Sequence, residues 1–176
     1  MDGADRPDLA RVRGMATLLR HRSRAVVSSL VDGLLVGGAE AALDLPARSR
    51  QRAAVYVGLL AVTVIDTLVK ELPTLRRMAR GLPPEPVPGS DSHAAMRSGL
   101  LSGAWGLLAT VADGPIARAL RRRGRQHPHL LIGVLAGTAT ALSTLPVWWA
   151  RAAERAAADE ASEALDRELA DLLAES

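Results

Sequence analysis

Apolar residues in this chain fall into four long runs separated by polar, arginine-rich stretches. The last run is the cleanest. Leu130 to Ala150 (LLIGVLAGTATALSTLPVWWA) holds 21 consecutive uncharged residues, follows Arg121, Arg122, Arg123 and Arg125, and stops at Arg151. As a helix, about 20 such residues cross a bilayer core of about 30 Å. The first run, about Ala25 to Leu45, carries Asp32, Glu40 and Asp44. The second, about Ala53 to Val69, carries Asp66, and the third, about Ala94 to Ala112, has Arg97 near its start. The pattern predicts an all-α fold: a four-helix transmembrane bundle with polar segments at both ends.

The polar stretches divide the chain. Residues 1–24 form a basic segment with Leu9, Val12, Met15 and Leu19 at helical spacing, as in a helix lying on a membrane surface. Residues 25–81 are read as a first hairpin around Pro46 and the alternating Arg48, Arg50 and Arg52. Residues 82–93 are a linker, since the prolines of LPPEPVPGSDS cannot continue a helix. Residues 94–150 are a second hairpin. Residues 151–176 are an acidic amphipathic helix with Leu165, Leu169, Leu172 and Leu173 on one stripe. Ala39-Glu40-Ala41 is similar to a signal-cleavage site, but 24 residues precede the run and Asp32 interrupts it. No cleaved leader is expected.

The hairpins look alike. Gly33-Leu34-Leu35 with Ala39-Glu40 recurs as Gly106-Leu107-Leu108 with Ala112-Asp113. Gly58, Leu60-Ala61 and Thr63 recur as Gly133, Leu135-Ala136 and Thr138. Repeats with two spans each would run parallel to one another.

Composition supports a membrane bundle over a soluble core. Hydrophobic residues reach 48%, yet aromatics are 2% and Phe is absent. Small residues recur at four-residue spacing: Ser29, Gly33, Gly37 and Ala41 in the first run, Gly99 and Gly103 in the third, Gly133, Gly137 and Ala141 in the fourth. Such stripes let helix backbones approach within a bilayer. Charge is segregated, with 19 basic and 11 acidic groups up to Ala150 against 3 and 8 beyond it. Arg121, Arg122, Arg123 and Arg125, with Trp148 and Trp149, are expected at the membrane interface, the arginines on anionic headgroups. Without stacking aromatics on a basic face, no nucleic-acid partner is expected.

The intramembrane charges are the sharpest chemical lead, because charge in a bilayer is expensive. Antiparallel hairpins put Asp32, Asp66 and Arg97 towards one side, and Glu40 with Asp113 towards the other. A transport reading uses Asp32 and Asp66 as a proton or cation path. A structural reading pairs Asp66 with Lys70, Asp113 with Arg118 and Asp32 with Arg97.

Catalytic signatures are sparse. Asp113-Gly114-Pro115-Ile116-Ala117-Arg118 resembles the D-G-x-x-A-R segment of CDP-alcohol phosphotransferases, whose motif aspartates bind divalent metal. Thr110 replaces the preceding Asp, Gly124 comes too early and both downstream Asp positions are absent. His127 and His129 flank Pro128 and read as exposed turn imidazoles, short of the three or four ligands a zinc site needs. There is no Cys, no P-loop, no dinucleotide fingerprint and no metalloprotease or nucleophile-elbow motif. No cofactor, metal or catalytic residue is assigned.

Four spans put both termini on one side, which a basic amino-terminal segment marks as cytoplasmic. The arginines of the 48–52 and 118–125 turns then fall on the opposite side, against that rule. The expectation is a non-enzymatic, multi-pass protein of the cell membrane. It acts through helix packing and tail contacts, with lipid and either a second copy or another membrane protein as partners. The alternatives are a small ion- or proton-coupled transporter or channel subunit and, remotely, a lipid-modifying enzyme.

Overall fold

A computed structural model describes residues 6–81 and 89–174, and the chain is all-α, with no strand among them. The helices are α1 (Arg6–Ala41), α2 (Arg50–Ala79), α3 (Gly89–Arg122) and α4 (Pro128–Ala174), with a one-turn 3-10 helix, Ala42–Asp44, closing α1. All four are long and apolar enough to cross a membrane. At 1.5 Å per residue the 36 residues of α1 span about 54 Å and the 47 of α4 about 70 Å. Both therefore outreach a bilayer core.

Three boundaries differ from the sequence expectation. The basic amino-terminal segment is not a separate helix: from Arg6 it is the first half of α1. The acidic tail is likewise the continuation of α4. Nothing at either junction breaks a helix, and Arg and Ala are strong helix formers, so the change from polar to apolar alters the surroundings without ending the element. The expected linker ends early, because α3 begins at Gly89; its proline-rich residues 82–88 lie outside the described residues.

The turns are built from local chemistry. Ser49 caps α2 by accepting from the Arg52 amide at 3.1 Å. At the end of α3, Gly124 takes a positive φ of 76°, which glycine adopts without steric cost. Its N–H donates to Arg121 O and that of Arg125 to Leu120 O, a Schellman closure that satisfies two terminal carbonyls.

The central contact joins the first and last helices. α1 and α4 run antiparallel along a shared seam, α3 lies chiefly against α4, and α2 packs against α1 and the turn that follows it. None of the apolar span of α2 is buried within the molecule. Glycine explains the pairing. A Cβ on Gly33 would lie 2.5 Å from Gly137 O, and one on Gly37 would lie 2.5 Å from Gly133 O. Four residues along, Ser29 Oγ donates to Ala141 O. Backbones this close gain dispersion contacts and polar contacts that bulkier residues would prevent. Thr140 and Thr144 are fully buried in the same seam, and Thr140 Oγ1 donates to its own-helix Ala136 O at 2.8 Å.

Candidate functional site

Where α1 ends and α4 begins, three helices bring acid and imidazole together. The last turn of α1 supplies Glu40, α3 supplies Asp113 and the first turn of α4 supplies His129. One donor or acceptor atom from each lies within 4.8 Å of the others. His129 Nδ1 is 2.6 Å from Asp113 Oδ1 and 3.5 Å from Glu40 Oε1. Glu40 is 7% exposed, His129 8%, and the Asp113 side chain 22%. The 2.6 Å contact is an ion pair when His129 is protonated. Neither of its atoms, nor Glu40 Oε1, has a hydrogen-bond partner.

Asp44 holds this corner in place. Its carboxylate accepts from the backbone N–H of His129 (3.3 Å) and of Leu130 (2.8 Å). It thus caps α4 from another part of the chain, and its negative charge suits the positive end of the helix dipole. On the other edge of the ring, Arg121 Nη2 lies 3.5 Å from His129 Nε2. Arg121 can only donate, so this contact is a hydrogen bond only in the tautomer that leaves a lone pair on Nε2.

A second polar layer lies further back along α1. Asp32 Oδ2 accepts from Ser98 Oγ and from Trp148 Nε1, both at 2.7 Å. This replaces the expected Asp32–Arg97 pair: Arg97 is exposed, and Asp32 is satisfied by two neutral donors. Asp66 lies on the wall of a cavity of about 310 Å3 shared with His21, Arg24, Ser28, Trp148 and Arg151, and Asp32 is not among its lining residues. The expected Asp113–Arg118 contact is also replaced. Arg118 Nε donates to its own-helix Gly114 O, and Asp113 turns inward to His129. The Lys70 side chain lies outside the described residues.

The tryptophans separate. Both were expected at the membrane interface; Trp148 is 7% exposed and turns its ring into the bundle, away from the molecular surface. Successive residues of a helix point about 100° apart, so one bundle face cannot hold both. Trp149 is exposed, with the Arg22 guanidinium 5.0 Å above its ring. Arg122, Arg123 and Arg125 are exposed at the end of α3. Of the small-residue stripes, Ser29, Gly33, Gly37 and Ala41 meet Gly133, Gly137 and Ala141. A Cβ on Gly99 or Gly103 would touch nothing within 4 Å.

Sequence reading put Glu40 and Asp113 at one end but missed His129, expected to be exposed, and Asp44. A signal for Asp44 existed. Arg125-Gln126-His127 before Pro128 supplies no Ser, Thr, Asp or Asn cap, so the first amides of α4 required an acceptor from elsewhere. The search of family models, curated proteins and solved structures returned no match for this chain.

Proposed function

We propose that this chain is a multi-pass integral protein of the cell membrane, non-enzymatic, whose bundle anchors a projecting acidic helix that contacts a basic partner. The observation that carries this reading is the course of α4. Its buried stripe continues through Ala152 and Ala156 against α1, and Arg20 and His21 of α1 meet Asp159 at 3.6 and 2.8 Å. From Glu160 onward every described residue is exposed, including Leu165, Leu169 and Leu172. Glu160, Glu163, Asp166, Glu168 and Asp171 surround that stripe with Arg167 as the single base between Glu160 and Ala174. An amphipathic helix of this charge suits a groove with an apolar floor and a basic rim.

Two measurements test it. Thiol labelling of Ser49→Cys and Ser90→Cys in intact cells, in a chain with no native cysteine, should modify position 49 alone. Equal protection of both sites until lysis overturns the four-span arrangement. A photo-crosslinker at Leu169 in living cells should then yield one discrete protein adduct that Leu165→Glu abolishes. Failure to yield any such adduct overturns the partner role.

The second reading, an ion- or proton-coupled transporter or channel subunit, is favoured by one observation. Asp32 and Glu40 both face neighbouring helices of the bundle, eight residues and about 12 Å apart on α1. Ion flux in vesicles containing the purified chain, lost in Asp32→Asn with the fold intact, would establish it in place of the first.

A further inference from the structure

We propose that Glu40, Asp113 and His129 are the ligands of a divalent transition-metal ion of the Zn2+ or Mn2+ class, bound between α1, α3 and α4. These side chains take no part in the partner role of the acidic helix.

Glu40 Oε1, Asp113 Oδ1 and His129 Nδ1 are buried, aimed at one another and without hydrogen-bond partners. Buried polar atoms are ordinarily paired, and each exception calls for a missing partner. All three atoms are Lewis bases when deprotonated, so one cation placed between them can serve all three at once. His129 lies within ion-pairing distance of both carboxylates and, when protonated, offsets one of their charges. The other is uncompensated, which is costly where Glu40 is buried, whereas a divalent ion with a neutral imidazole makes the site electroneutral.

The donor set narrows the ion. Imidazole selects against Mg2+ and Ca2+, which take oxygen ligands. The absence of thiolate and thioether removes preference for soft ions such as Cu(I). Three protein ligands with a vacant fourth position is the arrangement in which zinc retains water. Bonds of about 2.0–2.2 Å in a tetrahedron separate ligand atoms by about 3.4 Å, close to the 3.5 Å between His129 Nδ1 and Glu40 Oε1. The 2.6 Å between His129 Nδ1 and Asp113 Oδ1 would open by less than 1 Å. Asp113, the most exposed of the three, marks the side of entry.

The set differs from what the CDP-alcohol phosphotransferase resemblance implies, since Glu40 and His129 lie outside the six-residue motif. Two backbone features pre-organise it. Asp44 fixes the first turn of α4 through the His129 and Leu130 amides, and the Gly37–Gly133 contact sets the α1–α4 separation one turn away. Arg121 opposes the ion: binding at Nδ1 leaves the ring proton on Nε2, facing a guanidinium that can only donate, so the exposed Arg121 side chain must swing aside. Because the ligands bind deprotonated, affinity should fall as the solution is acidified.

The test uses the full chain in detergent micelles, purified with a histidine-free tag, stripped with EDTA and titrated calorimetrically with ZnCl2 and MnCl2. Wild type should bind one ion per chain. Glu40→Gln, Asp113→Asn and His129→Gln should each weaken binding at least tenfold. His127→Gln should leave it unchanged, and Arg121→Gln should tighten it. Absence of saturable one-to-one binding of either ion by the wild type overturns the proposal, as does unaltered affinity in folded Glu40→Gln and Asp113→Asn. Should those variants lose helix, wild type decides. With 15N-labelled histidine, Zn2+ should shift the Nδ1 resonance of His129. A shift confined to His21, His93 or His127 overturns the assignment.

Discussion

Gly37 of α1 and Gly133 of α4 meet backbone to backbone, so that a Cβ on Gly37 would sit 2.5 Å from the Gly133 carbonyl oxygen and 3.1 Å from Gly137 Cα. Neither neighbour is a flexible side chain that can turn away. The two helices approach because both lack side chains there, and the register of the molecule is set at this point.

Gly37→Val should therefore force α1 from α4. Overpacking of this kind costs about 1–3 kcal/mol, and each kcal/mol lowers the melting temperature of a chain this size by about 2–4 °C. Thermal unfolding in detergent should show a loss of about 2–12 °C. Gly103→Val, whose Cβ enters open space, should melt with the wild type. Equal losses in both variants would refute the seam.

Asp32 serves in this structure as an acceptor for Ser98 and Trp148. Asn keeps an oxygen at that position, so Asp32→Asn should preserve the fold and the Trp148 indole N–H resonance. Asp32→Leu leaves two buried donors unsatisfied, at a cost of about 1–3 kcal/mol, and should shift that resonance and lower the melting temperature. Loss of fold in Asp32→Asn as well would show that the charge itself is required.

Asp44→Ala removes the acceptor for the first amides of α4. Loss of an N-cap costs about 0.5–2 kcal/mol, and here the effect should be local. Hydrogen exchange at His129 and Leu130 should accelerate several-fold, while amides of the Gly133–Thr144 seam keep their protection. Uniform acceleration along α4 would mean that Asp44 supports the whole pairing.

Much of this was legible in the chain. The run from Leu130 to Ala150, free of charge, marks a helix long and apolar enough to cross a bilayer, since a helix satisfies its backbone groups within one segment. The glycine stripes of α1 and α4 announced a close contact, and the shared depth of Glu40 and Asp113 followed from helix rise and short turns. The stripe of Gly99 and Gly103 looked equivalent but faces open space. A small residue permits close approach without specifying which helix comes.

The apolar pattern along the chain was enough to establish four long apolar helical runs, the segregation of charge and the shared end of Glu40 and Asp113, because these depend on local spacing alone. Partner choice required the packed structure. That α1 pairs with α4, that Trp148 turns to Asp32 while Trp149 turns outward, and that His129 is buried against Glu40 and Asp113 all follow from the register of the Gly33–Gly137 and Gly37–Gly133 seam. Contacts between different helices, such as Asp32 with Trp148 across 116 positions, are set by how surfaces fit in three dimensions, which spacing along one helix does not encode.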